Sequence, residues 1–300
     1  MIQFQDRLQY PHSITYLPLH HQILITNSFN GVIQRFQLEY SPSSSQIIRI
    51  RHLSTIGGKG SSWQFRALRG ICHQPFTRHL VVCDRDHNQL HILNEDGTQC
   101  LFSIGKTNLQ PTTRLGEFNQ PYGIACHADG SICATDQYNH RAQLFDPRGV
   151  FVRAFGSQGD HSHQFDNPLG VCVLGCHWTS SCSSSPASSL LLIADSNHRN
   201  ISVWSGDGSQ HITQFFADGS PQGICIDRNG FVHVCCEITQ VVQVFDPRYK
   251  FSHTHTLGSY GSFGCHNGQF NRPSGLCVDE MNTLMVVDCF NHRVQFFRDF

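Results

Sequence analysis

The chain has 300 residues and a formal net charge of −1, with 22 acidic against 21 basic side chains. This balance excludes a protein that attracts polyanions through its overall field, so any nucleic-acid binding requires a local patch. No N-terminal apolar run is typical of a signal peptide, and no segment approaches the roughly 18 apolar residues of a membrane span, so no membrane partner is expected.

One pattern recurs six times along the chain. Its anchor is a residue that follows a short apolar run, and the six anchors are Asn27, Asp84, Asp136, Asp195, Cys236 and Asp288. Seven residues after each anchor stands a polar residue: Gln34, His91, Gln143, Ser202, Gln243 or Gln295. Nine residues after it stands a large apolar one: Phe36, Leu93, Phe145, Trp204, Phe245 or Phe297. Six copies spaced by about fifty residues indicate a repeat architecture.

Each copy predicts four short strands. The first follows a glycine such as Gly70, the second is the apolar run before the anchor, and the fourth ends in Phe or Ile before a glycine such as Gly156. The third alternates polar and apolar residues, as Val242 to Phe245 do, which is typical of a strand with two distinct faces. Since no segment has a helical period, the pattern predicts an all-β, six-bladed β-propeller that uses residues 1–300 as one domain.

The two ends of the chain are expected to close the ring. The sixth copy contains three strands, and Ile2 to Phe4 would supply the fourth, so that an N-terminal strand completes the last blade. Two Ser-rich stretches, Ser41 to Gln46 and Leu174 to Ser189, interrupt blades one and four and are predicted to be solvated loops.

The 14 cysteines indicate the compartment. Four of them, Cys72, Cys172, Cys225 and Cys277, occupy one position of the inner strand, where a buried thiol acts as a small hydrophobe. Disulfides between such positions are not expected, and reduced thiols favour a cytoplasmic location.

Two units, 118–145 and 270–297, resemble NHL repeats, and their Asn-His-Arg triplets at 139–141 and 291–293 stand at the signature position of that family. The resemblance extends over essentially the whole chain. The phrase GQFNRPSG followed by MVVDCFNHRVQFF is most similar to the heterochronic, cell-lineage branch of the tripartite-motif NHL proteins. The resemblance implies a propeller that binds RNA hairpins in the untranslated regions of messenger RNA and represses translation or destabilises transcripts. A related branch uses the same face for single-stranded, uridine-rich motifs.

The RNA-binding residues are expected where two loops of each blade emerge on one face, before strand one and between strands two and three. Aromatic and amide side chains read unpaired bases there, and arginine binds phosphate. Arginine is abundant, since 21 basic residues include only three lysines. Arg272 matches, by the resemblance, the position just before a proline at which the family places RNA-contacting arginines. The predicted RNA-binding residues are Arg69, Arg85, Gln120, Tyr122, Tyr138, Asn167, Gln222, Arg272 and Phe290.

No cofactor, metal site or catalytic residue is expected. Aspartate anchors are interpreted as turn residues that accept hydrogen bonds from backbone amides, and the Asn-His-Arg triplets as links between neighbouring blades. One cluster has the ligand types of a zinc site and comprises Cys172, Cys176, His177 and Cys182. Because Cys172 belongs to an inner strand and the loop that follows is Ser-rich, a structural role is favoured.

Two other functional classes remain open. A protein-interaction propeller would dock a peptide on the same face, where proteins of repression complexes could also bind. A six-bladed hydrolase or lyase would hold a metal ion in its channel, although the inner-strand starts lack an acidic or histidine ring. The expected partner is RNA rather than DNA.

Overall fold

A computed structural model describes residues 7–44, 46–58, 64–106, 110–175 and 188–298. The predicted all-β fold is confirmed, because six antiparallel sheets form the blades of a β-propeller. Within each sheet, neighbouring strands follow one another in sequence order. In the described part of the chain no helix is long and apolar enough to cross a bilayer.

Blades one to three each contain four strands. Blade one consists of β1 Pro11–Leu17, β2 Gln22–Asn27, β3 Val32–Tyr40 and β4 Ile47–Ile56. Blade two consists of β5 Leu68–Gln74, β6 His79–Asp84, β7 Gln89–Leu93 and β8 Cys100–Gly105. Blade three consists of β9 Pro121–Cys126, β10 Ile132–Asp136, β11 Arg141–Phe145 and β12 Phe151–Phe155.

Blades four and five also contain four strands, and blade six contains three among the described residues. Blade four consists of β13 Pro168–Leu174, β14 Leu190–Asp195, β15 Asn200–Ser205 and β16 His211–Phe216. Blade five consists of β17 Pro221–Ile226, β18 Val232–Cys236, β19 Val241–Asp246 and β20 Ser252–Gly258. Blade six consists of β21 Pro273–Val278, β22 Leu284–Asp288 and β23 Arg293–Phe297.

The predicted closing strand, Ile2 to Phe4, lies outside the described residues. Those that follow it join blade one to blade six: Leu8 is buried among Met285, Val287 and Val294. The backbone amide of Tyr10 also donates to the imidazole of blade six's His292 at 3.0 Å. The predicted loop from Ser41 to Gln46 lies between β3 and β4, and most of the second predicted loop lies outside the described residues.

In blades two to six the glycine of the inner strand lies inside that strand and not before it, and blade one has Ser13 at this position. The first strand begins two residues earlier than the glycine, and the pairing register shifts there, as between Leu68 and Ile71. A Cβ on Gly70 would lie 2.7 Å from the Tyr122 carbonyl oxygen of the next blade. A Cβ on Gly275 would likewise lie 2.7 Å from the His12 carbonyl oxygen of blade one. Glycine is therefore required where adjacent inner strands touch around the channel.

The hydrophobic core is divided among the interfaces between blades. One cluster packs Leu24 and Ile33 of blade one against Leu80 and Val82 of blade two. Phe118 and Phe270 each stand three residues before the proline that begins an inner strand. Both are fully buried in the equivalent clusters of their blades. Because each cluster is shared by two blades, a blade buries its faces only within the closed ring.

The aspartate anchors accept backbone amides, as predicted, but these amides belong to the loop before strand one and not to the anchor's own turn. Asp136 and Asp288 have no exposed surface, and their Oδ1 atoms accept the backbone amides of Asn119 and Asn271, both at 2.7 Å. The residue four positions after each anchor has a left-handed backbone, with φ between 49° and 61° at Gly31, Asn88, His140, Arg199, Gln240 and His292. The anchor thus fixes the entry to strand one, and the left-handed residue turns the chain into strand three.

Candidate functional site

The two loops that carry the predicted binding residues lie together in every blade. A backbone amide one or two residues after the anchor donates to a carbonyl of the loop before strand one. Two such pairs are Tyr138 to Asn119 at 3.2 Å and Cys289 to Arg272 at 3.3 Å. The expectation that both loops emerge on one face is therefore confirmed, and we call this face the loop face.

The residue before the proline has a left-handed backbone in four blades, with φ from 48° to 72° at Tyr10, Gln120, Asn167 and Arg272. Its amide donates to the side chain of the left-handed turn residue of the preceding blade. Gln120 N donates to Asn88 Oδ1 at 2.8 Å, and Arg272 N donates to Gln240 Oε1 at 2.6 Å. These bonds couple neighbouring blades and hold the pre-proline side chains at equivalent positions around the ring.

The Asn-His-Arg triplet has the predicted structural role. Asn139 Nδ2 and Arg141 Nε donate to Asp136 Oδ2 at 2.8 and 2.7 Å. His140, between them, accepts the amide of Asn167 from the next blade at 3.4 Å. Arg141 is buried by these contacts, and the triplet therefore belongs to the scaffold of the loop face.

The loops surround a pocket of about 370 Å³ at the mouth of the channel. Seven of the nine predicted residues line it, namely Arg69, Arg85, Tyr122, Asn167, Gln222, Arg272 and Phe290. Gln120 lies beside the pocket and accepts a hydrogen bond from Arg85 Nε at 2.6 Å. Tyr138 belongs to the same face, where 48% of its surface is exposed. The structure thus brings most of the predicted set together.

A chain of hydrogen bonds crosses the pocket from blade to blade. Tyr122 of blade three lies 2.8 Å from His12 Nε2 of blade one and donates to Gln222 Oε1 of blade five at 2.6 Å. Gln222 Nε2 donates to Glu237 Oε2 at 2.7 Å, and Arg272 Nε lies 3.2 Å from the other oxygen of Glu237. Since the Tyr122 proton goes to Gln222, His12 must donate from Nε2. These five side chains form the cross-channel chain.

His12 is held neutral in this chain. Burial, and then the charges of Arg69 and Arg85, keep the pKa of His12 well below its ordinary value. Burial also raises the pKa of Tyr122 well above that of a free phenol. The cross-channel chain therefore contains one anion, Glu237, and one cation, Arg272, and its other members only transmit hydrogen bonds.

Three arginines supply the charge of the mouth, against the single carboxylate of Glu237 among the described lining residues. The Arg69 guanidinium lies 5.9 Å from the centre of the Tyr122 ring and donates to Ser28. Arg272 lies 4.5 Å from the centre of the Phe290 ring, and half of its side chain is exposed. Because an exposed ion pair contributes at most about 1 kcal/mol, Arg272 can exchange Glu237 for another anion at small cost.

An exposed aromatic cluster continues from Arg272 toward blade one. Tyr10 lies 5.4 Å from Phe290 and 5.9 Å from Phe29, measured between ring centres. Phe29 is 74% exposed, and Tyr10 and Phe290 are each 41% exposed. Large apolar surfaces at a rim of this kind mark a place where another molecule can pack.

The mouth is asymmetric despite its repeated backbone. The three arginines of the pocket and the rings of Tyr10, Phe29 and Phe290 come from three consecutive blades, six, one and two, since β1 packs against both β21 and β5. We call this part the basic-aromatic sector; it comprises Arg272, Phe290, Tyr10, Phe29, Arg69 and Arg85. Blades three to five contribute mainly amides and Glu237 to the pocket. Tyr10, Phe29, His12 and Glu237 occupy loop positions of the repeat but were not in the predicted set.

The predicted cysteine cluster can be assessed only at Cys172, because Cys176, His177 and Cys182 lie outside the described residues. Cys172 belongs to the inner strand β13 and packs against the core between blades four and five. Burial raises the pKa of this thiol well above its ordinary value. A protonated, buried thiol of this kind is a packing residue.

The fold and the mouth define a six-bladed propeller with an open, partly basic loop face, and the sequence comparisons agree with this class. Residues 270–297 match the NHL repeat family. The chain is 28% identical over 153 residues to Protein brain tumor of Drosophila melanogaster, a match that covers 50% of this chain and 13% of that protein. It is 30% identical over 100 residues to RING finger protein nhl-1 of Caenorhabditis elegans, covering 30% of this chain and 10% of that protein.

These matches support the NHL class, and the chain spans only about a tenth of the length of each of these relatives. Among solved structures, the chain is similar to one described as a streptogramin B lyase structure. The TM-score is 0.58 at 12% identity, over 99% of this chain and 85% of that one. At this identity the similarity shows the shared fold alone.

Proposed function

We propose that the loop face binds RNA, either a hairpin or a short single-stranded element of a messenger untranslated region, and that the propeller represses its targets after transcription. The observation that carries this proposal is the basic-aromatic sector. It places three arginines and three exposed rings on adjacent blades of a chain whose net charge is −1. The charge is therefore local, which is what binding by a patch requires.

The chemistry of the sector suits the parts of an RNA ligand. Guanidinium groups bind phosphate oxygens in a fork, and exposed rings stack on unpaired bases. Amide side chains near the pocket, such as Asn167, can bind the edges of bases. Arg272 and Phe290 are stacked on each other, so a phosphate and the adjacent base would be met by neighbouring groups.

The likeness of the chain to the heterochronic branch supports a hairpin as the first choice of ligand and the cytoplasm as the place of action. We propose that the chain acts there as a single, non-enzymatic propeller domain. The 12 described cysteines are free thiols, which suits a reducing compartment.

The test begins with selection of ligands from a random RNA pool, followed by fluorescence anisotropy with the selected RNA. Arg272→Ala should weaken binding about tenfold and lower the salt slope by roughly 0.7 to 0.9, as expected when one phosphate contact is lost. Phe290→Ala should cost about 1–3 kcal/mol of binding energy if the ring stacks on a base, with the salt slope nearly unchanged.

Matched controls come from the opposite face. Arg148 and Arg248 lie in turns between strands three and four, and each pairs with an aspartate two residues earlier, at 2.9 and 2.8 Å. Their alanine variants should bind the selected RNA like the wild type. Equal losses from both faces would mean non-specific attraction. If selection enriches no RNA while the same face binds a peptide, the protein-interaction alternative replaces the RNA proposal.

A hairpin and an unpaired strand of the same loop sequence separate the two RNA modes. Tighter binding of the hairpin would support recognition of shape, and equal binding would support recognition of single-stranded bases. Tyr138 belongs to blade three, outside the basic-aromatic sector, and is not among the described residues that line the pocket. Tyr138→Ala should therefore affect the affinity less than Phe290→Ala does.

A further inference from the structure

The anchor of blade two has partners unlike those in blades three and six. In blade three, Asp136 Oδ2 accepts from Asn139 at 2.8 Å, from Arg141 at 2.7 Å and from Gln143 at 3.1 Å. Blade six repeats this set with Asn291, Arg293 and Gln295 around Asp288, at 2.9, 2.7 and 3.1 Å. The buried carboxylate is neutralised in both blades by an arginine.

In blade two the same three positions are occupied by His87, Gln89 and His91. Asp84 has no exposed surface, and no arginine stands at the position that neutralises the anchors of blades three and six. A buried carboxylate without a cation is strongly unfavourable, so a positive charge must come from another source. Imidazoles stand here in place of the asparagine and the glutamine of blades three and six, and imidazole nitrogens can hold a cation beside the carboxylate.

The donor atoms of these side chains converge. Asp84 Oδ2 lies 2.6 Å from His87 Nδ1 and 3.6 Å from His91 Nε2, and all three atoms lie within 4.8 Å of one another. A tetrahedral ion with ligand distances near 2.0–2.1 Å separates its ligands by about 3.4 Å. The Oδ2–Nε2 distance is close to this separation, and the Oδ2–Nδ1 contact would widen by about 0.8 Å to reach it.

The surroundings of His91 also fit a metal ligand. Its Nδ1 lies 2.8 Å from Ser103 Oγ, which fixes the ring and directs Nε2 toward Asp84. Nε2 is buried and has no hydrogen-bond partner among the described residues. A second-shell bond on one ring nitrogen with the other nitrogen directed at the site is the usual arrangement of a metal-binding histidine.

We propose that Asp84, His87 and His91 bind one divalent transition metal ion, of which Zn²⁺ is the best match, as a structural replacement for the arginine network of blades three and six. Imidazole and carboxylate are common zinc ligands, and a water molecule can complete the tetrahedron, since His87 is partly exposed. Asp84 also accepts the amides of Arg66 and Ala67, so the ion fastens the loop before β5 to the turn after β6. Blade two lacks the proline that begins the inner strand in the other blades, so this loop needs another constraint.

Zinc binding is measured by isothermal titration of the metal-free protein with ZnCl₂, and thermal unfolding is followed with and without the metal. One zinc should bind per chain. At a hundredfold excess over Kd, it should raise the Tm by roughly 4 °C in a protein of this length. His87→Asn and His91→Gln introduce the residues of blades three and six. Each variant should fold without metal, bind zinc at least tenfold more weakly and lose the thermal shift.

Two controls locate the ion. His198→Asn changes blade four, where His198 contacts Asp195 at 2.8 Å but the third position is Ser202, and it should leave zinc binding unchanged. Replacement of Cys176 and Cys182 by serine should also leave it unchanged. Cobalt titration adds a spectroscopic measurement, because a tetrahedral Co²⁺ site gives visible absorption that His91→Gln should abolish.

Three results would overturn the proposal. The first is a wild-type protein that binds no zinc, which would mean that protonated imidazoles neutralise Asp84. The second is equal zinc affinity in the wild type and both histidine variants. The third is loss of the zinc in the cysteine variant alone, which would place the ion outside blade two.

Discussion

The cross-channel chain predicts that Tyr122→Phe destabilises the propeller although the substitution removes a single oxygen atom. The hydroxyl bonds His12 Nε2 at 2.8 Å and Gln222 Oε1 at 2.6 Å. Phenylalanine keeps the ring in place between blades one, three and five but leaves both groups without this partner. Gln222 is only 8% exposed, so its amide depends mainly on protein partners.

The size of the effect follows from the two lost bonds. Each intramolecular hydrogen bond contributes about 1 kcal/mol net, so the free energy of unfolding should fall by about 2 kcal/mol. The unfolding entropy of a chain of this length is about 0.6 kcal/mol/K, which converts the loss to a Tm lower by about 3 °C. Denaturant titration and differential scanning calorimetry measure the two quantities.

Tyr138→Phe is the matched control. It removes the same atom from a tyrosine that is 48% exposed on the same face, and its Tm should stay within about 1 °C of the wild type. A double-mutant cycle with Gln222→Leu should give a coupling energy of about 1 kcal/mol with Tyr122→Phe. If Tyr122→Phe is as stable as the wild type, or the coupling is zero, the cross-channel chain does not brace the mouth.

Three further changes test the scaffold and its protonation. Gly70→Ala should cost about 1–3 kcal/mol because its Cβ would lie 2.7 Å from a carbonyl oxygen of the next blade. Gly175→Ala, whose Cβ would have no atom of a described residue within 4 Å, should be nearly neutral in urea unfolding. Arg141→Ala should cost about 3–5 kcal/mol by leaving a buried carboxylate unpaired, whereas Arg148→Ala, at 83% exposure, should cost under about 1 kcal/mol in the same assay. Because the pKa of His12 is lowered on folding, the unfolded chain takes up the proton first, so His12 should destabilise the fold increasingly as the pH falls below about 6.5, and His12→Gln should remove that share of the pH slope in urea unfolding.

The fold could be predicted because each repeated position of the sequence has a local structural role. Anchor, polar residue and apolar residue recur at fixed offsets, and each offset corresponds to a turn, a hydrogen bond to the anchor or a place in an interblade core. The predicted start of the inner strand was less accurate. Pro121 begins β9 and Gly123 lies within it, since the glycine serves the approach of the next blade's backbone and does not terminate the loop.

The sequence predicted the position of the site more accurately than the contacts of its side chains. Loop offsets identified the residues near the mouth but not the direction of each side chain around the axis. Tyr122 was expected to contribute an aromatic face to the ring, yet its hydroxyl is bound inside the channel by residues of two other blades. Such contacts join positions about 100 residues apart, which no local pattern encodes. The convergence of His87 and His91 on Asp84 could have been noticed by comparing those positions with the Asn and Gln of blades three and six.

The same comparison separates scaffold from function. Positions that are alike between blades hold the ring together, as the inner-strand glycines and the buried anchors do. The residue before the proline combines both kinds of constraint: its backbone is left-handed at Tyr10, Gln120, Asn167 and Arg272, while its side chain differs in all four. Four different groups are therefore presented from one backbone geometry, and the recognition properties of the mouth depend on the order of those groups around the ring. That order places an aromatic residue and an arginine side by side across the junction of blades one and six.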